Sequence, residues 1–524
     1  MTLRTENLIG TSYSAEGSNT FQSFNPITNT PNPWMFTSAT SQEAAIATQK
    51  AAEAFKIYQQ TSLIDRARFL RCIAKNINTL GDQLFETYCQ ESGLPLGRAK
   101  GECQRTLGQL EGFAKALDAG QFLEPVIDTA DPNRSPMPKP DIRKLNQPIG
   151  PILVFGASNF PLAYSTAGGD TASALACGCP VIVKAHQMHA GTGALVAGAI
   201  LKAVEECQMP DGVFSNLNSN NFELGQQLIT DPLIKGVGFT GSIAGGTALY
   251  RLAQNRTEPI PVFAEMGSVN PVIVLPSALE HATKWATSYA ESISLGSGQF
   301  CTNPGLIFCI EHPQLDQFLH KLAEEFRSVE DTSMLHPSIH KSYQEGKAAV
   351  AATADLMSTS NSTSDLAFAG KSALYIVDAK KFKEHPRLHQ EVFGPMSLVV
   401  RCASIDELIP LIYTLEGQLT GTILGSTEEL SKEIAVIEAV KNRVGRLIFN
   451  GVPTGVEVCP AMHHGGPFPA STDARFTAVG IQSMKRWLRP IAYQNWPNEL
   501  LPEALKDDNP MGLVRIVNNN WSNV

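Results

Sequence analysis

Three short apolar runs, at 152–155, 181–183 and 237–239, alternate with helix-length segments that start near Pro161, Ala190, Phe222 and Ser242. Parallel strands cannot be joined by tight turns, so strand–helix alternation predicts a parallel, doubly wound α/β sheet. Helices cover both faces of such a sheet, which leaves the region beyond the carboxyl ends of the strands for ligands. The residues that follow the runs are the first candidates for chemistry: Asn159, Lys184 and the turn from Gly241 to Gly246.

With 524 residues, the chain exceeds the roughly 300 that one core usually supports. Thr40 and Glu43 make a capping box ahead of Ala44, Ala47, Ala51, Ala54, Phe55 and Tyr58. Leu70, Ile73, Ile77, Leu80 and Leu84 continue with helical spacing. Prolines at 132, 136, 138, 140 and 148 argue against a helix or central strand over 131–150, which reads as an extended excursion from the globule. A new apolar run at 271–275, after Pro259 and Pro261, suggests a second α/β domain starting near there. The stretch 358–364 holds only Ser, Thr and Asn and reads as a surface loop.

Composition narrows the partners. No run approaches the ~20 apolar residues that span a bilayer, and a net charge of −9 without a long basic block argues against nucleic acid. Met1 to Gly10 carry only Arg4 as a basic group and no leader-like core, so secretion is not expected. Ten cysteines with no CxxC pair read as reduced thiols, which points to the cytoplasm. No metal motif is evident.

Cys301 lies among Gly296, Gly298, Pro304 and Gly305, where the backbone can approach a ligand and present a nucleophile. Taken alone, a loop cysteine is more often structural. Glu265 sits between Ala264 and Met266 just before the run at 271–275; burial there would raise its pKa into the range of a usable base, and an ion pair is the competing reading. Asn159 can donate its amide at the sheet's ligand edge or merely cap a helix starting at Phe160-Pro161. Gly241, Ser242 and Gly246 open a helix whose N-terminus favours a phosphate, although the turn is not GxGxxG.

Taken in order, Ser158-Asn159-Phe160-Pro161, Val183-Lys184, Phe239-Thr240-Gly241-Ser242, Glu265-Met266-Gly267, Gly298-Gln299-Phe300-Cys301 and Glu391-Val392-Phe393-Gly394-Pro395 resemble the motif series of the aldehyde dehydrogenase superfamily. Glu91-Ser92-Gly93-Leu94-Pro95, Glu102 with Arg105-Thr106, the Lys184/His186/His189 cluster, His464-Gly465-Gly466-Pro467 and Arg489-Pro490 look most like its α-ketoglutaric semialdehyde (2,5-dioxovalerate) dehydrogenases. An NADP-dependent fatty aldehyde dehydrogenase group shares much of the pattern. The resemblance implies a Rossmann-type cofactor domain (1–130 and 150–261), a second α/β domain with the nucleophile (262–452), a return segment (453–483), and an oligomerisation arm with C-terminal tail (131–149 and 484–524) serving a homodimer or homotetramer.

It further implies that Cys301 attacks an aldehyde, that Asn159 and the Cys301 backbone N–H hold the oxyanion, and that Glu265 activates the water that hydrolyses the thioester. Glu391, with Phe393 in its motif, would hold the nicotinamide ribose, Lys184 the adenosine ribose, and Ser242 with the Gly241–Gly246 turn the pyrophosphate. Two positions depart from most relatives: Ser158 replaces a Trp, and Gln187 replaces the Glu of NAD-preferring members, which permits NADP beside NAD. Arg105 and Phe160 would line the substrate tunnel, Arg105 facing the far carboxylate of a short semialdehyde; a helix charge paired to Glu102 is the competing reading. A coenzyme A-acylating relative and a catalytically silent one remain as rivals; the general-base Glu265 argues against the first, and the joint presence of Cys301, Asn159, Glu265 and Glu391 against the second.

Overall fold

The computed structural model describes residues 3–523. Met1, Thr2 and Val524, assigned above to the first domain and the tail, lie outside the described residues. The first sheet has seven strands in the order Val262–Glu265, Gly236–Thr240, Ile152–Phe155, Val181–Lys184, Phe214–Leu217, Asn7–Ile9 and Ser12–Ser14. The five strands from Ile152 onward are parallel, and the two N-terminal strands add to one edge antiparallel. Numbered along the chain, the parallel strands run 3-2-1-4-5, so the order reverses between Ile152–Phe155 and Gly236–Thr240. At that point successive crossovers leave on opposite sides and open a crevice at the carboxyl ends.

The second sheet also has seven strands: Asp355–Thr359, Ala373–Asp378, Met396–Cys402, Leu306–Ile310, Val272–Val274, Gln418–Leu424 and Val444–Phe449. All are parallel except the edge strand Asp355–Thr359. A five-stranded arm completes the molecule, with Leu488–Gln494 and Ile142–Pro148 paired along seven residues and Val126–Asp128, Arg515–Val517 and Asn520–Ser522 beside them. A Rossmann-type parallel sheet, a second α/β sheet and an arm are the three parts that the resemblance implied. No helix among the described residues is long and apolar enough to cross a membrane.

Several boundaries move. Val262–Glu265 is hydrogen-bonded to Gly236–Thr240, so the first sheet continues past 261; Glu265 ends that strand and precedes the expected one, found at Val272–Val274. The arm begins at Val126, because Val126–Asp128 pairs with Ile142–Pro148. No helix starts at Pro161; 161–168 is a series of turns and the helix is Gly169–Cys177. The second N-terminal stretch is two helices, Leu63–Asn78 and Asp82–Ser92, broken at Gly81 with φ 54°. Only the first two residues of the serine-rich stretch belong to a strand, Asp355–Thr359, and the rest is a loop, but Ser358 and Ser360 are buried, their hydroxyls donating to Ala323 O and Val329 O at 2.7 Å each. Hydroxyls that find carbonyls behave as core groups, which composition alone does not reveal.

The capping box forms as expected: the Glu43 N–H donates to Thr40 Oγ1 at 3.1 Å and the Thr40 N–H to Glu43 Oε2 at 2.8 Å. All ten cysteines are free thiols. Trp487 closes the first core from the C-terminal side, fully buried, with Nε1 donating to Ser173 Oγ at 2.7 Å and its ring edge-on to Phe263.

Candidate active site

Cys301 lies where the two domains meet, after the short 3-10 turn Leu295–Gly298. That turn holds three successive left-handed residues, Gly296, Ser297 and Gly298, with φ of 55°, 55° and 64°. Gly298 allows no side chain, since a Cβ would come within 2.3 Å of the Gly394 carbonyl. Ser297 is not a glycine, and its strained backbone is held by its hydroxyl against the Thr332 carbonyl at 3.1 Å. Asn270 fixes the peptide of Cys301, donating from Nδ2 to Cys301 O at 2.8 Å and Asn303 O at 2.9 Å. The thiol therefore projects from a rigid turn.

Asn159 arrives from the opposite wall, on the turn after Ile152–Phe155, and its Nδ2 donates to Gln299 O at 2.9 Å. A buried carboxylate holds this turn: Glu102 Oε1 accepts from the Leu162 and Ala163 N–H groups at 2.8 and 2.9 Å, and Oε2 from Tyr88 at 2.6 Å. Two stacked N–H groups on one carboxylate replace the missing helix at Pro161.

Two cavities flank Cys301. One, of about 350 Å³, is lined by Asn159, Gly241, Ser242, Glu265, Glu391 and Phe393 together with Ser158. It occupies the crevice at the strand-order reversal. Ser242 lines the cavity and caps the helix Ile243–Gln254, accepting from Gly245 N at 3.1 Å. Gly246 does not line this cavity; it is buried, and a Cβ there would meet Met266 Sδ at 2.5 Å. Lys184 and Gln187 also lie outside it, at and just beyond the end of Val181–Lys184, where Lys184 Nζ donates to Ser219 O at 2.8 Å. Burial pulls the Lys184 ammonium down to about 8.

The second cavity, of about 360 Å³, joins Cys301 to Arg98, Arg105, Phe160, Tyr164 and Val456. Phe160 stands edge-on to Phe300 and Tyr164, with the Arg98 guanidinium 4.3 Å from its ring centre. Arg105 is not paired to Glu102; that carboxylate faces Arg98 at 3.5 Å. Arg105 instead donates to Val456 O at 2.6 Å and to the Tyr164 hydroxyl at 3.2 Å, and its Nε has no partner. Among the described residues no carboxylate lies within ion-pair distance of it.

Three groups meet at the centre. Cys301 Sγ lies 3.5 Å from His464 Nε2, which lies 3.5 Å from Glu265 Oε1. Burial pushes Glu265 up to about 8, helped by the charge of Glu391, and burial pushes Glu391 itself up to about 7. Burial, followed by the charges of Arg446 and Arg105, drives His464 down to about 3. Cys301 is held well above the ordinary thiol value by burial and by Glu265 and Glu391, with Arg446 opposing. A thiol raised in this way rests protonated at neutral pH.

His464 and Arg446 were not assigned roles from sequence. His464 was noticed only as part of a Gly-rich motif 163 residues from Cys301, and Arg446 is one arginine within the strand Val444–Phe449. Only the tertiary contact of the return segment with Glu265, through the Glu265–Ser471 bridge, brings His464 to the site.

The aldehyde dehydrogenase family model matches residues 13–467. Over 521 residues, 98% of this chain and 99% of the relative, the chain is 44% identical to alpha-ketoglutaric semialdehyde dehydrogenase 2 of Azospirillum brasilense. It is 45% identical to alpha-ketoglutaric semialdehyde dehydrogenase of Acinetobacter baylyi over 502 residues, 95% of each. The gamma-glutamyl-gamma-aminobutyraldehyde dehydrogenase structure from Burkholderia cenocepacia superposes with a TM-score of 0.81 at 19% identity, covering 94% of this chain and 97% of that one. A cysteine, a carboxylate and a crevice at one strand reversal agree with these matches, and the chain belongs to the aldehyde dehydrogenase family as an NAD(P)-dependent oxidoreductase acting on aldehydes.

Proposed function

We propose that this enzyme oxidises α-ketoglutaric semialdehyde (2,5-dioxovalerate) to 2-oxoglutarate with NADP or NAD, through a thioester on Cys301. The carrying observation is Arg105, a guanidinium without a carboxylate partner in the cavity that also holds Cys301. A partly desolvated cation of this kind favours an anion at the far end of the substrate. Two relatives that carry this substrate in their names, at 44% and 45% identity, support the reading. Phe160, Phe300 and Tyr164 would pack against the short carbon chain. A fatty aldehyde would leave the Arg105 charge facing apolar chain, which is unfavourable.

Cys301 gives its proton toward His464 and attacks the aldehyde carbon. The oxyanion is received by the second N–H of the Asn159 amide and by the Cys301 backbone N–H. A dinucleotide, when bound, would supply the hydride acceptor needed to reach the thioester. Glu265 then takes a proton from water, which attacks the thioester carbon, and the carboxylate leaves as the thiol reforms. The presence of Glu265 beside Cys301 favours water over coenzyme A as the acceptor.

In this reading the crevice takes the pyrophosphate and nicotinamide side of a dinucleotide, with the helix N-terminus at Ser242 suited to the pyrophosphate and Glu391 beside Phe393 to ribose hydroxyls, while Lys184, outside the cavity, would meet the adenosine ribose. Gln187 leaves a 2′-phosphate unopposed by a carboxylate. The arm's outer strand Leu488–Gln494 has one unpaired edge, suited to a homodimer or homotetramer. The test is an aldehyde panel, with NADP and NAD and with and without coenzyme A. The semialdehyde should give the highest kcat/KM and 2-oxoglutarate as product; preference for long apolar aldehydes, or a coenzyme A thioester product, would overturn the proposal.

A further inference from the structure

Cys301, His464 and Glu265 present a thiol, an imidazole nitrogen and a carboxylate oxygen that all lie within 4.8 Å of one another. Tetrahedral zinc with bonds of about 2.3 Å to sulfur and about 2.0–2.1 Å to nitrogen or oxygen sets its ligands roughly 3.4–3.6 Å apart. The Sγ to Nε2 separation is 3.5 Å, and the Nε2 to Oε1 separation is 3.5 Å. Two of the three donor separations already stand at chelate spacing, and the third, sulfur to carboxylate oxygen, is no more than 4.8 Å.

A second observation points the same way. Glu265 is only 3% exposed, yet its Oε1 has no hydrogen-bond partner, and it is the atom directed at His464. A buried carboxylate oxygen in that condition is costly and gains much from a cation. The donor set, one sulfur, one imidazole and one carboxylate, suits a borderline-soft divalent ion rather than magnesium or calcium. Cavities on both sides of Cys301 leave a path for the ion and room for water as a fourth ligand.

We infer that Cys301, His464 and Glu265 form an inhibitory zinc site, in which one Zn²⁺ per chain ligates the nucleophile and holds the enzyme inactive until the metal is withdrawn. On binding, the S–H bond of Cys301 breaks as the zinc–sulfur bond forms, and the thiol and carboxyl protons pass to solvent. No electron is transferred, so a chelator restores the free thiol. The site uses the same atoms as catalysis, so zinc and an aldehyde exclude each other.

The experiment titrates the full-length enzyme with Zn²⁺ by calorimetry and with Co²⁺ by absorption, independently of any substrate. One tight Zn²⁺ per chain is expected, a thiolate-to-cobalt charge-transfer band, and full recovery of activity with EDTA. Cys301→Ala should remove the band, and Glu265→Gln and His464→Asn should each weaken zinc by about 100-fold or more, a ligand being worth at least the upper end of what a supporting contact is worth. The Gln variant is nearly isosteric, so it remains informative if His464→Asn folds poorly. Unchanged stoichiometry and affinity in Cys301→Ala would overturn the site, as would inhibition that EDTA does not reverse.

Discussion

Replacing Arg105 by methionine tests the substrate reading most directly. Methionine keeps the length and flexibility of the side chain while removing the charge and the planar fork. In the free enzyme Arg105 satisfies two neutral acceptors, Val456 O and the Tyr164 hydroxyl, while Nε stays unpaired, so donors remain for a substrate carboxylate. A hydrogen bond to a charged group is worth about 1.5–3 kcal/mol net. The guanidinium is half-buried, which places the loss near ~2 kcal/mol, or roughly 30-fold in kcat/KM. With α-ketoglutaric semialdehyde the variant should lose that much, whereas an uncharged aldehyde of equal length should change less than about threefold. Steady-state reduction of the dinucleotide, measured on both substrates beside a thermal melt, separates recognition from folding. Equal losses on the two substrates would refute the reasoning and assign Arg105 to the support of the Val456 loop.

Further outcomes follow from the same geometry. Glu265 must be ionised to act as a base, and burial raises it to about 8, so deacylation-limited turnover should climb as pH rises toward 8 and level off above it. Glu265→Gln should keep a burst of reduced dinucleotide but lose that climb, and a wild-type profile flat from pH 6.5 to 9 would refute the assignment. Gln187→Glu should move the NAD to NADP ratio of kcat/KM toward NAD by roughly tenfold or more, measured with both dinucleotides; no movement would place the specificity elsewhere. Trp487→Ala removes a fully buried ring and the bond to Ser173, so urea unfolding should show a loss of about 3–5 kcal/mol, and a loss under about 1 kcal/mol would mean the core collapses around the gap.

The alternation of apolar runs and helical segments specified the parallel sheet, because periodicity and chain length leave few other ways to pair such strands. What it could not specify were positions decided by distant partners. The turns at 161–168 look like a helix start in sequence, yet their amides are taken by Glu102, some 60 residues away. The strand Val262–Glu265 follows a proline-punctuated segment that resembles a linker, and only pairing with Gly236–Thr240 assigns it to the first sheet. In the site, Cys301, Glu265 and Asn159 were each ambiguous from their positions alone and became candidates together only through the ordered motif series. His464 was not a candidate: the return segment has neither helix nor strand periodicity, and its histidine becomes meaningful only 3.5 Å from the thiol.

The electrostatics of the centre and the nature of the proposed substrate bear on one another. Burial keeps the thiol, the imidazole and the carboxyl group uncharged in the resting state, while two arginines without carboxylate partners, Arg105 and Arg446, face the same region. Arg446 helps a thiolate, while both arginines oppose an imidazolium at His464. A neutral aldehyde leaves both charges in place, so proton transfer from Cys301 to His464 works against them. A substrate with a far carboxylate cancels the field of Arg105 on arrival and raises the basicity of His464 when attack is required. Recognition of the anion and activation of the nucleophile are then a single electrostatic event, whose effect appears in the acylation rate as well as in binding.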